Sequence, residues 1–84
     1  MADLPNLGPR SQALLMAAGI TSIEALRQLG SVAAYAQARR AAGARASLNL
    51  LWALEGALTG LPWQVVAREH RTSLLLALEQ YESS

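Results

Sequence analysis

At 84 residues, with no cysteine, seven basic residues that are all arginine, and a formal net charge of +1, the chain excludes several classes at once. It is too short for two cores, it has no disulfide or Cys/His zinc set to staple a small fold, and it lacks the basic excess that draws a whole protein onto nucleic acid or an anionic membrane. A composition 52% hydrophobic, rich in Ala and Leu and free of Phe, favours closely packed helices over a β-sandwich.

Gly and Pro punctuate the chain at short intervals. Leu4-Pro5-Asn6-Leu7-Gly8-Pro9 reads as a tight turn, after which Pro9 suits the first position of a helix that runs to about Ala18 and stops at Gly19. Thr21-Ser22-Ile23-Glu24 has the spacing of a capping box, so a short helix from about Ser22 to Leu29 follows, with Ile23, Leu26 and Leu29 pointing inward. Gly30 ends it, and Ser31 is placed to cap the next helix. That helix runs to about Ala42, with Val32, Tyr35 and Ala36 on one side and Gln37, Arg39 and Arg40 largely on the other. Ser47 caps a fourth helix, Leu48 to Thr59, which is apolar around most of its circumference and is the expected central one. From Trp63 onward Val66, Ala67, His70, Leu74, Leu78 and Tyr81 keep a helical period, with a break expected near Arg71-Thr72.

The fold class this implies is all-α: a compact single domain of five or six short helices over residues 1–84, with its core at 4–81 and a helix-hairpin-helix-like N-terminal part. No stretch reaches the roughly 20 uninterrupted apolar residues of a membrane span, and the first residues lack the basic and apolar regions of a secretory signal. The cytoplasm is the expected location, and no membrane partner is expected.

The residues that carry chemistry are few. One histidine, His70, and one aspartate, Asp3, do not supply a hydrolytic triad, and no set of three or four metal ligands recurs at useful spacing. No enzyme activity, metal, cofactor or small-molecule substrate is expected. His70 lies on the apolar period of its helix and reads as a partly buried residue whose ring nitrogen meets a backbone carbonyl. Trp52, Trp63, Tyr35 and Tyr81 also fall on apolar periods and are expected in the core. Glu55, among Leu51, Trp52 and Leu58, is costly to bury unpaired. It reads as a structural polar residue, with Arg10 or Arg27 as a candidate partner, or as part of an interface.

Two groups are candidates for contact with other molecules. The turn residues Asn6, Gly8, Arg10 and Ser11 lead into a helix start, whose unpaired amides and dipole suit a phosphate or carboxylate. Together with the downstream Ala17-Ala18-Gly19-Ile20-Thr21, this stretch resembles a helix-hairpin-helix element of the kind that grips a nucleic-acid backbone. Arg39, Arg40 and Arg45, around Gly43, form a candidate basic lobe for phosphates or an acidic protein surface. The plainer alternative is that they complement a helix C-terminus.

Read end to end, Leu4-Pro5-Asn6-Leu7-Gly8-Pro9, Ala18-Gly19-Ile20, Leu26-Arg27-Gln28-Leu29-Gly30, and Leu51 through Gly60 with Trp63 following resemble the C-terminal domain of the TfoX/Sxy family of bacterial competence regulators. The resemblance covers roughly Leu4 to Leu78, and Ala53-Leu54-Glu55-Gly56-Ala57-Leu58 is its most specific run. It implies a compact helical domain in a protein that promotes expression of DNA-uptake genes alongside a cyclic-AMP-responsive transcription activator. The function expected is a non-enzymatic regulatory module that binds a protein of the transcription machinery or itself. Sequence-tolerant DNA-backbone binding through the N-terminal hairpin is the alternative.

Overall fold

Pro9, with its fixed φ and missing N–H, opens the first helix, α1 (Pro9–Ala17), directly after Gly8. The computed structural model describes residues 7–43 and 46–83, and every regular element among them is helical. The end of α1 is a Schellman turn. Gly19, at φ 83, donates its N–H to the Met16 carbonyl, and Ile20 N–H reaches back to Leu15 O at 2.9 Å. Leu15 and Ile20 are both buried, so the hydrophobic contact that accompanies this motif is part of the core.

The second helix, α2 (Ile23–Ala42), is capped one residue later than the Thr21–Glu24 spacing suggests. Ser22 is the extended N-cap, and its Oγ accepts the Ala25 N–H at 3.1 Å. Both helices expected between Thr21 and Ala42 are present as the two arms of α2, and they part at Gly30, whose φ 82 and ψ 165 lie in a region open essentially to glycine alone. The resulting arms, 23–29 and 31–42, take different headings. Leu26 on the first arm is fully buried, whereas Leu29, expected inside, is carried outward beside the bend and is exposed.

Helix α3 (Leu48–Thr59) buries Leu50, Leu51, Trp52, Ala53, Leu54 and Gly56, as an all-round apolar helix should. Ser47 stands at its N-cap position without a side-chain capping bond, and Gly60 closes it in the left-handed conformation. Helices α4 (Trp63–Glu69) and α5 (Arg71–Ser83) meet at His70, one residue before the expected break. His70 joins them through its backbone, its N–H donating to Val66 O and its carbonyl accepting from Leu74 N–H. Among the described residues no bond from its ring to a carbonyl is found.

The hub of the packing is α2, which touches α1, α3 and α5, while α3 lies between α2 and α4. Tyr35, Leu15, Ile20, Leu26, Leu51, Leu54 and Val66 are its largest fully buried side chains. Each such aliphatic residue contributes about 1.5–3 kcal/mol of burial. The radius of gyration, 11.4 Å, is near the roughly 12 Å of a close-packed chain of this length. Among the described residues no helix is long and apolar enough to cross a membrane.

Candidate functional site

The last turns of three helices converge on one corner of the molecule. Ala36, Arg39 and Arg40 of α2, spaced i, i+3, i+4 and therefore on one face, line a cleft of about 600 Å³ whose opposite wall is Tyr81 and Glu82, in the last turn of α5. The neighbouring face of α2, Gln37, Arg40 and Ala41, lines a second and more open cleft of about 320 Å³ against Ala17 and Ala18 at the end of α1. Arg40 belongs to both clefts and is the ridge between them. The depth on either side comes from alanine: residues 17, 18, 36 and 41 bring a backbone close and fill little of the space in front of it.

Arg39 and Arg40 are exposed in the last turn of α2, where they complement the partial negative charge of a helix C-terminus. The same turn is held by the Gly43 N–H, which donates to the Arg39 carbonyl. Beyond it, Tyr35 Oη donates to Ala46 O at 3.1 Å and Ala46 N–H to Gly43 O. Among the described residues neither guanidinium has a carboxylate partner, and the ion pair there is Arg68 with Glu69 on the exposed face of α4. Arg45, the third residue of the expected basic lobe, lies outside the described residues.

Glu82 and Tyr81 were not expected here, because they stand about forty positions further along the chain and nothing local links them to α2. Tyr81 and Trp63, expected in the core, are each 40% exposed, whereas Trp52 and Tyr35 are buried as expected. The buried stripe of α5 consists of Leu74 and Leu78 and ends before Tyr81. Trp63 sits at the first position of α4, where the chain has only just turned at Pro62. Ala36 also departs from expectation. It is buried, yet it shares the face of Arg39 and Arg40 instead of opposing them.

The N-terminal candidates stand elsewhere. Gly8 is the extended N-cap of α1, at φ −77, a conformation open to any residue, and its carbonyl accepts from Gln12 N–H. Arg10 is exposed and Ser11 half-buried in the first turn. Pro9 has no N–H to offer, so the free amides of this helix start are those of Arg10 and Ser11. Asn6 lies outside the described residues. Gly8 and Ala17 are separated by the length of a nine-residue helix, roughly 13 Å, so the structure does not join these N-terminal candidates and the arginine clefts into one site.

Glu55 is half-buried, and its partner is neither Arg10 nor Arg27. Ser31 Oγ donates to Glu55 Oε1 at 2.9 Å, which binds α2 just after its bend to the middle of α3. Ser31 is thus committed across the core and not to capping its own helix. Among the described residues no group of three or more His, Asp or Glu side chains is placed to hold a metal ion.

The chain is 24% identical over 75 residues to the DNA transformation protein TfoX1 of Aliivibrio fischeri, covering 89% of this chain and 36% of that protein. It is 30% identical over 80 residues to the DNA transformation protein TfoX of Haemophilus influenzae, covering 95% of this chain and 36% of that one. The chain thus spans about a third of the length of the curated relatives it matches, and no solved structure matches it. Residues 1–78 match the family model of the TfoX C-terminal domain, and the chain belongs to that family.

Proposed function

We propose that this chain is a non-enzymatic regulatory module in the control of DNA uptake, working in the cytoplasm by binding a protein component of the transcription machinery or a second copy of itself. The observation that carries the reading is the pair of clefts on either side of Arg40. A concave surface with alanine floors, a tyrosine wall and exposed arginines has the composition of a protein-binding face, where Arg and Tyr are the residues most often found at the energetic centre. The relatives named as DNA transformation proteins support the link to DNA uptake.

Sequence-tolerant grip of a DNA backbone by Gly8, Arg10 and Ser11 is the second reading. What favours it is the exposed Arg10 beside two free amides of α1. A net charge of +1 and the distance of Arg39 and Arg40 from that helix start weigh against it.

The test is transcript abundance of DNA-uptake genes in cells whose own copy carries Arg40→Glu. Transcripts fall, at unchanged protein level, if the reading holds, and unchanged transcripts sink it. Anisotropy of a labelled random-sequence duplex at low and moderate salt decides the second reading. Salt-sensitive binding that Arg10→Glu weakens establishes it, and silence at both salts removes it.

A further inference from the structure

We infer that the ridge at Arg40 receives an acidic protein segment, one in which a carboxylate is flanked by apolar side chains. This rests on the reading above that the cleft face binds protein. Arg40 is shared by two clefts, so a carboxylate seated on its guanidinium has an alanine-floored groove on each side. Arg39 stands beside it, exposed and without a carboxylate partner among the described residues. The planar fork of donors on arginine matches a carboxylate two bonds at a time, and the larger cleft, at about 600 Å³, has room for apolar side chains next to it.

A phosphate chain satisfies the same forks, but this corner disfavours it. The C-terminal ends of α1, α2 and α5 all point here, each with a partial negative charge, and Glu82 lines the same cleft as the arginines. A continuous row of phosphates would run against those charges. A single carboxylate between apolar neighbours meets the arginines and avoids the rest. A second copy of this chain is a less complementary occupant, because a two-fold contact would bring the arginines of one corner against those of the other.

The experiment is a titration of the isotope-labelled chain, followed by NMR, with a short synthetic peptide carrying Leu-Glu-Leu, its Leu-Gln-Leu counterpart, and a random-sequence DNA duplex. The Glu peptide is expected to shift the amides of Ala17, Ala36, Arg40, Ala41 and Tyr81, and to bind at least about tenfold more tightly than the Gln peptide. Arg40→Gln removes that advantage, whereas Arg27→Gln, at an exposed position on the first arm of α2, keeps it. Equal binding of both peptides at the same amides overturns the acidic-segment inference and leaves the protein-binding reading standing. Shifts of other residues, or none with either peptide, overturn both. Stronger, salt-sensitive shifts of these amides by the duplex make the corner a nucleic-acid site and overturn the inference.

Discussion

Ser31 and Glu55, 24 positions apart, meet through a 2.9 Å hydrogen bond that fixes how the second arm of α2 lies on α3. The serine is buried and the carboxylate half-buried, so the hydroxyl stands in for water that one side of the carboxylate has lost. Ser31→Ala strands that oxygen and is expected to cost about 1 kcal/mol. Glu55→Gln keeps an acceptor for the same hydroxyl and is expected to cost less than about half of that. Urea unfolding of the two variants checks the order, and an equal or reversed loss contradicts the role assigned to this bond.

The bend at Gly30 depends on backbone conformation and not on space, because a Cβ built there meets nothing within 4 Å. Gly30→Ala is expected to cost about 1–3 kcal/mol through strain alone. Gly60, at φ 78 and ψ 11, is in the left-handed region that asparagine tolerates, so Gly60→Asn is expected to cost under about 1 kcal/mol. Thermal denaturation separates the two, since 1 kcal/mol moves the midpoint by roughly 4–8 °C in a domain of this size.

Capping distinguishes three residues that look alike in sequence. Ser22 Oγ accepts a backbone N–H, so Ser22→Ala is expected to cost about 1 kcal/mol. Thr21 lies outside the cap and Ser47 makes no capping bond, so alanine at either is expected to change stability by under about 0.5 kcal/mol. A large loss at Thr21 would restore the capping box expected one residue earlier.

Tyr35 carries its hydroxyl into the core to reach the Ala46 carbonyl. Tyr35→Phe keeps the ring and leaves that carbonyl without its donor, for an expected loss of about 1 kcal/mol by urea unfolding. Faster amide exchange at Ala46, whose own N–H bonds to Gly43 O, is the accompanying local sign that the turn has loosened.

The two tryptophans report on different environments. With Trp52→Phe, the remaining Trp63 is expected to be open to acrylamide quenching and to emit at longer wavelength. With Trp63→Phe, Trp52 is expected to stay shielded until the chain unfolds. Equal quenching of both variants would contradict the packing of α3.

The helix starts were legible along the chain to within about a residue, and so were most of the ends, because they are set within a few residues. Pro9 at a first helical position, Gly19 and Gly60 at terminators, and the apolar run from Leu50 to Leu54 each act through local sterics or local periodicity. Arg39 and Arg40 were legible as a basic turn for the same reason. The partner of Glu55 was not, because Arg10, Arg27 and Ser31 all stand far from it along the chain and are equal candidates until the bend at Gly30 brings Ser31 across the core.

Sequence alone therefore determined the helical class, the element order and the basic end of α2, all of which follow from interactions between residues close along the chain. Only the tertiary structure decided that Tyr81, Glu82, Ala17 and Ala18 stand around Arg40, because that corner exists where three helices happen to end together. The physical reason is range: propensity, capping and periodicity act over a few residues, whereas the packing angle of one helix on another is a sum over many weak contacts that no single stretch of sequence displays.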